Sequence, residues 1–492
     1  MLHGLESEAE RERLMSKRDH YDAVVVGAGP NGLAAAITLG RQFNSVLLLE
    51  AAKTIGGGSR SAELTLPGFL HDVCSTVQPL SLASPFFRQL DLPQYGLEWI
   101  QPEIPLAHPF EDGSALYLHR SLDVTADAMG DDGKAYKKLL QPFVDGEQRL
   151  LADILKPFGF PASPFLMSRF AFHALRSLKS LVETQFQSDR TRALFAGLSA
   201  HAMIPLEKTP TAAFGMVLAT LAHTVGWPII RGGSQKQADA LADCFLSGGG
   251  EIVTDRRIAS MADLPKAGYY FFDVTPRQLL QIEGLGLSES YRKRLGRFRY
   301  GPGVYKMDWA LHAPIPWRAD ICRKAATVHL GGSFNEIAAS IRDVHAGTVP
   351  SAPYVVLSQQ SLFDASRAPA GKHTAWAYCH VPHGSTADLS ALIESRIERY
   401  APGFREGILA RHTLTAAAME QYNANYVGGD INGGLQDLGQ LYTRPIASFH
   451  PYRTSAKNIY LCSSSTPPGG GVHGLCGYYA ACDLCRRLQG DP

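Results

Sequence analysis

A glycine-rich turn near the start of the chain restricts the possible folds more than any other segment. The turn, Gly27-Ala-Gly-Pro-Asn-Gly32, lies between an apolar strand predicted over 21–26 and an alanine-rich helix predicted over 30–43. A second apolar strand, predicted over 45–49, ends in Glu50, 23 residues after Gly27. A strand, turn and helix followed by an acidic residue at this spacing is the fingerprint of a dinucleotide-binding βαβ unit.

Each residue type in this fingerprint has a physical task. Gly27 permits the tight turn, Gly29 lets the backbone approach a pyrophosphate, and Gly32 lets the helix pack closely on the strand. Pro30 and Asn31 open the helix, whose N–H groups and positive dipole end attract phosphate. Glu50, followed by Ala51, is placed to accept hydrogen bonds from an adenosine ribose.

Two further glycine blocks favour FAD over NAD as the dinucleotide. The first, Ile55-Gly-Gly-Gly-Ser-Arg60, contains Gly57 and Gly58 and lets the chain fold back along an extended dinucleotide. Arg60 would face a phosphate or the flavin edge. In the second block, a strand over 458–462 leads through glycines 469–471 into a helix over 473–488. A helix N-terminus directed at a flavin stabilises the negative charge that develops on reduction.

Composition and charge exclude several classes of protein. The 492 residues contain 47 Lys and Arg and 46 Asp and Glu, which gives a net charge of +1. This balance lacks the excess of positive charge that is typical of nucleic-acid-binding proteins. The first twenty residues mix acids and bases without an apolar core, which predicts a solvated tail and a cytoplasmic protein. The eight cysteines are expected to be reduced thiols. Residues 212–230 carry no formal charge, and we expect a buried helix ending near Gly226 rather than a membrane span.

The predicted fold class is α/β with two domains. A discontinuous Rossmann-like FAD-binding domain is joined to a substrate domain of mostly antiparallel sheet with a helical lid. In the strand predicted around 305–311, apolar and polar residues alternate, which is typical of a half-buried strand. The predicted divisions are a tail over 1–20, an FAD-binding domain over 21–80, 228–300 and 445–492, and a substrate domain over 81–227 and 301–444.

Four segments carry a resemblance to a known family: VVVGAGPNGLAAA, LLLEAAKTIGGGSRS, IIRGGSQKQADALADCF and NIYLCSSSTPPGGGVHGLCGYYAA. Together they resemble the FAD-dependent phytoene desaturase-like oxidoreductases, and within them a bacterial branch similar to the mitochondrial pyridine nucleotide-disulphide oxidoreductase domain protein. The resemblance implies a long isoprenoid or polyene substrate that exchanges a hydride with flavin N5 in desaturation, saturation or isomerisation. The FAD contacts that it implies are Gly27, Gly29, Gly32, Glu50, Gly57 and Arg60, the backbone of Ile252 and Val253 at the adenine, and Cys462, Gly470, Gly471 and Val472 near the ribityl chain and flavin.

The chain departs from related flavoproteins in two places. Ser463, Ser464 and Ser465 stand where many relatives place an acid to hold the ribityl chain. No second GxGxxG follows a strand and opens a helix, so we expect no NAD(P)H domain and leave oxygen, a quinone or another compound as the electron acceptor. His473 is the candidate catalytic residue, with a helix-start histidine bonded to backbone as the alternative.

Other polar groups give weaker signals. Lys306 and Asp308 fit a solvated strand face, residues 428–433 fit a turn, and no histidine spacing indicates a metal site. Cys482 and Cys485 read as free thiols. The basic amphipathic stretch 163–182 would either touch a membrane surface or form a lid helix with a solvated basic face.

Two other functions remain open at this point. A flavin amine oxidase would need two aromatic walls at the flavin, and the neighbours Tyr478 and Tyr479 would point apart on a helix. A non-catalytic scaffold stabilised by FAD is the second alternative.

Overall fold

A computed structural model describes residues 18–490 of the chain, so nearly all of the predicted 1–20 tail lies outside the described residues. Its first layer is a five-stranded sheet in which every neighbouring pair is parallel. The strand order is Ile459–Leu461, Lys266–Phe272, His20–Val26, Val46–Leu49 and Glu251–Val253. The sheet therefore assembles from segments that are far apart in sequence.

Helices cover both faces of the parallel sheet, which is why its strands read as continuous apolar runs. On one face, Pro30–Gly40, Gln235–Ser247 and Leu475–Leu488 share one hydrophobic core with the sheet. The helices Pro30–Gly40 and Leu475–Leu488 cross so closely that a Cβ on Gly477 would lie 1.7 Å from the Asn31 carbonyl oxygen. The opposite face packs against Pro276–Gln281 and Glu289–Leu295.

The second layer is a seven-stranded, mostly antiparallel sheet. Its order is Ile408–Leu414, Gly303–Leu311, His373–Val381, Val355–Ser358, Ala325–Leu330, Ile104–Pro109 and Ala115–Leu118. Only Ala325–Leu330 and Ile104–Pro109 pair in parallel within this sheet. Helix Ser390–Tyr400 packs on one face, and the other faces Asp189–Ala200, Thr211–His223 and Phe334–His345. The predicted combination of a Rossmann-like sheet with a mostly antiparallel second sheet is confirmed.

The prediction of a half-buried strand at 305–311 is wrong. All nine residues of Gly303–Leu311 are buried, since helices cover both faces of this sheet. Lys306 and Asp308 therefore do not lie on a solvated face, and both are essentially inaccessible to solvent.

The basic stretch 163–182 does not form one continuous helix, and three strands lie within the middle of the chain, at Trp99–Ile100, Ile104–Pro109 and Ala115–Leu118. Residues 163–182 form two helices, Pro164–Ala174 and Leu178–Gln185, because the Ser177 hydroxyl accepts a hydrogen bond from the Ser180 N–H and starts a second helix. The charge-free segment forms the helix Thr211–His223, much of it buried. Within residues 18–490, no helix has both the length and the hydropathy that crossing a bilayer requires.

The remaining elements are short or flank these layers. The other helices are Pro79–Ala83, Leu122–Ala128, Gly133–Asp145, Glu147–Ile154, Ala416–Tyr422 and Leu438–Leu441. Two small antiparallel pairs join Ser61–Glu63 to Leu70–Asp72 and Trp99–Ile100 to Ile229–Ile230. The domain boundaries given above stay predictions.

Candidate functional site

One large cavity lies between the two sheets. Its volume is about 1720 Å³, and residues from both layers line it. Ligand cavities in proteins commonly measure ~300–1,000 Å³. The cavity is therefore large enough for an extended dinucleotide together with a second ligand.

The glycine turn lies at the wall of this cavity and leaves little room for side chains. Gly27 has φ +103°, a left-handed conformation that favours glycine. A Cβ on Gly32 would lie 1.8 Å from the Gly27 carbonyl oxygen, and one on Gly29 would lie 2.9 Å from Asp273 Oδ2. A Cβ on Gly57 would come within 3.1 Å of the Gly29 Cα, so the first two glycine blocks bring their backbones together.

Glu50 is fixed at the end of its strand by three donors. Its Oε2 accepts the Ala28 N–H at 2.8 Å, and its Oε1 accepts the Ala52 N–H at 2.9 Å and Arg60 Nη2 at 3.1 Å. Arg60 is buried and also donates to the Thr54 carbonyl at 2.8 Å. Both side chains line the cavity, and their roles toward ribose and phosphate stay predictions.

Most of the predicted FAD contacts lie along this cavity, and four do not. The lining residues among them are Gly27, Gly29, Pro30, Asn31, Glu50, Ala51, Gly57, Gly58, Arg60, Gly470, Gly471 and Val472. Gly32 and Cys462 pack behind the wall. Ile252 and Val253 lie in an edge strand, where the Val253 carbonyl accepts the Glu50 N–H at 2.9 Å. Residues 256–259, just after that strand, line the cavity instead.

The ring of His473 is not among the side chains that line the cavity. The residue is buried, and its Nδ1 accepts the Leu475 N–H at 3.0 Å. Burial lowers the pKa of His473 to about 4. This geometry is that of the alternative given above, a histidine at a helix start that is bonded to the backbone. The catalytic role of His473 stays a prediction, and no contact supports it.

Lys306 and Asp308 form a buried ion pair, and Lys306 lines the cavity. Two histidines approach the carboxylate: His71 Nδ1 lies 3.6 Å from Asp308 Oδ1, and His412 Nδ1 lies 3.5 Å from Oδ2. Burial lowers the pKa of His71 to about 4. The cavity thus contains the ammonium group of Lys306, whose charge is balanced by Asp308. The sequence predicts this pair on the surface, because the alternation of apolar and polar residues does not reveal that both faces of the strand are buried.

Asp273 is a site residue that the sequence reasoning missed. It follows the strand Lys266–Phe272, and its Oδ2 accepts the Gly32 N–H at 2.9 Å. It lines the cavity beside the glycine turn, and burial raises the pKa of Asp273 to about 7. Its one sequence signal was position, since it is an acid directly after an apolar strand of the parallel sheet.

The raised pKa of Asp273 predicts a pH dependence of stability. An aspartate in the unfolded chain has a pKa near ~3.9, so between that value and about 7 the folded protein binds a proton that the unfolded chain lacks. This contribution is complete below pH ~4 and is lost as the pH rises through about 7. We expect the free energy of unfolding of the FAD-free protein to fall by on the order of 2 kcal/mol from pH 5 to pH 8.

The matched variant is Asp273→Asn, whose amide oxygen can still accept the Gly32 N–H. Urea titrations at several pH values should give a flatter profile for this variant than for the native chain. Parallel profiles would contradict the assignment of the pH dependence to Asp273.

The residues at the glycine turn fit FAD. The turn opens a helix of eleven residues whose first two residues, Pro30 and Asn31, line the cavity, while the Gly32 N–H donates to Asp273. Asn31 lines the same region, and its buried Oδ1 has no hydrogen-bond partner among the described residues. Near the third block, Gly471 has φ +124° and lines the cavity with Gly470. FAD has a polar half with the phosphates and an aromatic half with the flavin. The cavity matches both, because the polar region built by the glycines is continuous with an apolar chamber.

Other chemistries find less support in the part of the chain that the structure describes. All eight cysteines are free thiols. No group of three His, Cys, Asp or Glu side chains within residues 18–490 is arranged to hold a metal ion. Tyr478 and Tyr479 pack behind the parallel sheet and do not line the cavity.

The fold and the cavity define an FAD-dependent oxidoreductase built on a Rossmann-like dinucleotide-binding domain. The profile of the NAD(P)-binding Rossmann-like domain family matches residues 25–90. The chain is homologous to pyridine nucleotide-disulfide oxidoreductase domain-containing protein 2 of Mus musculus, with 26% identity over 96% of this chain and 94% of that protein.

Two further comparisons extend this result. The zeta-carotene-forming phytoene desaturase of Myxococcus xanthus is 25% identical over 91% of this chain and 90% of its own length. Among solved structures, a putrescine oxidase has the same fold, with a TM-score of 0.62, 16% identity and coverage of 95% of this chain and 99% of that one. The predicted class of enzyme, its FAD cofactor and the resemblance to phytoene desaturases are thereby confirmed.

Proposed function

We propose that this chain transfers a hydride between FAD and a long apolar substrate of the isoprenoid or polyene class. The observation that carries the proposal is the apolar chamber that continues from the glycine cradle. Its walls are built largely from Met167, Phe170, Met203, Phe214, Val217, Leu218, Trp227, Val304, Val356 and Met419. FAD, when bound, supplies the hydride acceptor or donor. The similarity to a phytoene desaturase supports the same substrate class.

The contribution of the chain itself is position and exclusion of water. An apolar chamber desolvates a hydrocarbon at no electrostatic cost and holds it beside the cofactor. Lys306 is the charged side chain that reaches the chamber from the second sheet, and Asp308 compensates it. In a desaturation, the substrate would lose a hydride to FAD and also a proton, which would leave through the cavity mouth to solvent. The acceptor of the electrons stays open among oxygen, a quinone and another compound.

An amine substrate has less support from the cavity. A buried ammonium group needs an available carboxylate. Glu420 is paired with Arg277, and Asp153 accepts from Lys156 and from the N–H groups of Ala162 and Ser163. Glu50 and Asp273 accept hydrogen bonds from N–H groups of the glycine turn. Because the fold is shared with a putrescine oxidase, amine oxidation is nevertheless the alternative reaction that the experiment must distinguish from the proposed one.

The experiment is anaerobic reduction of the purified flavoprotein. We expect a long isoprenoid in detergent micelles to bleach the visible flavin band, and putrescine to leave it unchanged. Bleaching by putrescine alone would replace the proposal with amine oxidation. Failure of isoprenoids and amines alike, in a preparation that holds FAD, would favour a scaffold role.

We infer that the mouth of the cavity contacts an anionic membrane surface, from which an apolar substrate would enter. The aromatic mouth comprises Phe158, Phe160, Phe165, Phe172 and Phe449, all largely exposed. Three of these, Phe158, Phe160 and Phe449, line the cavity opening. Of the four Lys and Arg in residues 154–182, Lys156 pairs with Asp153 and Lys179 with Glu183, which leaves Arg169 and Arg176 as the cations with no acidic partner among the described residues. Exposed rings beside basic side chains are typical of interfacial membrane contact.

Replacing Phe160 and Phe165 with serine should weaken vesicle binding. Burial of one phenylalanine contributes ~1.5–3 kcal/mol, so we expect the double variant to lower the partition coefficient at least about tenfold. Co-sedimentation with phosphatidylglycerol-containing vesicles measures it. Leu409→Ser, an exposed apolar residue of the second sheet, is the control and should bind as the native chain does. Equal binding by all three proteins would overturn the membrane inference.

A further inference from the structure

A polar patch interrupts the apolar chamber on the side formed by the seven-stranded sheet. The polar wall consists of Trp376, Tyr378 and His201, which line the chamber, and His329, which lies behind His201. A hydrocarbon gains nothing from polar groups in its binding site. Their presence raises the question of what part of a substrate they contact.

The four side chains form an ordered arrangement. Trp376 and Tyr378 are two residues apart on one strand, so they project from the same face, and their ring centroids are 5.3 Å apart. The Tyr378 hydroxyl lies 3.4 Å from His201 Nδ1. His201 Nε2 lies 3.2 Å from His329 Nε2, so one imidazole donates and the other accepts. The hydroxyl is thus connected to two imidazoles in series.

Two nitrogens of the polar wall are buried without a partner among the described residues: His329 Nδ1, behind the lining side chains, and Trp376 Nε1, on a side chain that lines the chamber. The indole N–H of Trp376 is buried without a hydrogen-bond partner among the described residues, and the side chain is only 6% exposed. A buried donor left unpaired costs ~1–3 kcal/mol. Because an indole N–H can only donate, its natural partner in a ligand is an oxygen that accepts.

The polar wall is uncharged near neutral pH. Burial lowers the pKa of His201 to about 4 and that of His380, which packs against Tyr378, to about 3. Burial, with the neighbouring histidines, also holds the pKa of His329 well below its usual range. The four side chains of the wall offer no counter-ion to a carboxylate, a phosphate or an ammonium group, and the neighbouring Lys306 is already paired with Asp308. It suits a neutral oxygen that both accepts and donates, which is a hydroxyl group.

The position of the wall relative to Lys306 follows from strand register. Lys306 is directly opposite Tyr378, Tyr378 is opposite Val356, and Val356 is opposite His329. Neighbouring strands are ~4.8 Å apart, so this row places Tyr378 one strand from Lys306 and His329 about three strands away. The polar wall therefore begins beside Lys306 and runs into the chamber.

We propose that the polar wall binds a hydroxyl group on the substrate, which is then a long apolar alcohol and not a pure hydrocarbon. The hydroxyl oxygen accepts from Trp376 Nε1, and its proton is donated to the Tyr378 oxygen, whose own proton faces His201. This inference rests on the proposed apolar substrate and narrows its class. The hydroxyl contact does not change the proposed hydride transfer, because the hydroxyl group is bound and does not react.

The test compares two probes with one carbon skeleton on the FAD-loaded protein. Geranylgeraniol carries a terminal hydroxyl, and the matching C20 hydrocarbon lacks it. Isothermal titration calorimetry in detergent micelles should show at least about tenfold tighter binding of the alcohol, since two neutral hydrogen bonds are gained. Trp376→Phe and Tyr378→Phe should each reduce the ratio to about threefold or less, because each removes a hydrogen bond that only the alcohol can make.

The control variant is Tyr442→Phe, which removes a hydroxyl from the half-exposed rim of the same cavity and should keep the full preference. Equal affinity for both probes in the native protein would overturn the proposal, as would an undiminished preference in folded Trp376→Phe and Tyr378→Phe proteins. Binding is read separately from flavin bleaching. An alcohol preference without bleaching would support the polar wall while contradicting the proposed redox reaction.

Discussion

Gly32→Ala is expected to yield protein that no longer retains FAD. The new Cβ would lie 1.8 Å from the Gly27 carbonyl oxygen, a backbone atom, and 3.2 Å from Asp273 Oδ2, which accepts the Gly32 N–H. Helix Pro30–Gly40 must therefore move away from the turn, and its N-terminus is displaced from the phosphates. We expect FAD affinity to fall at least about a hundredfold, equivalent to about 2.7 kcal/mol. The ratio of flavin to protein absorbance after gel filtration measures this loss.

The same helix provides a matched control. Gly40 is its last residue, and a Cβ there would make only ordinary contact, 3.7 Å from the Phe245 ring. Gly40→Ala should retain full flavin and gain stability, since glycine within a helix costs ~0.5–1 kcal/mol relative to alanine. A Gly32→Ala protein with a native flavin content would show that the turn is not the cofactor cradle.

Lys306→Met is expected to produce the largest loss of stability among the substitutions considered. It removes the charged partner of Asp308, which has 0% exposure and whose other ion-pair contacts among the described residues are with His71 and His412. Breaking a buried ion pair in this way costs ~3–5 kcal/mol. Urea titration of the FAD-free protein, followed by tryptophan fluorescence, reports on this region because Trp309 and Trp376 lie in the same sheet.

Two variants separate the ion pair from simple loss of a lysine. Lys306→Met combined with Asp308→Leu removes both charges and should recover most of the lost stability. Lys324→Met breaks an exposed pair with Glu103 in which both side chains are more than half exposed, and should cost less than about 1 kcal/mol. If the double variant were no more stable than the single one, the pair would not account for the loss.

The local features of this fold could be predicted from sequence, because a few neighbouring residues determine them. Strand His20–Val26, the glycine turn and helix Pro30–Gly40 follow each other directly, and the turn needs glycine wherever the chain is placed. The same holds for Leu475–Leu488, a helix that lies within the predicted range 473–488. The first two glycine blocks and the third also located part of the cavity wall.

Features that depend on distant segments could not be predicted. The burial of Lys306 and Asp308 results from layers on both sides of the sheet, whereas the strand pattern reveals only alternation. The polar wall joins Tyr378, His201 and His329 from three separate segments, and no spacing along the chain connects them. Asp273 became a site residue only when its strand was placed beside the glycine turn.

The close crossing of Gly477 over Asn31 has a consequence for how the protein is made. The ribosome completes the glycine turn long before it reaches the edge strand Ile459–Leu461 and the helix that packs on Pro30–Gly40. The nascent chain thus exposes an unpaired edge of the parallel sheet and an uncovered helix face until these two segments have been synthesised. A chain truncated before these segments is therefore a candidate for chaperone retention and proteolysis.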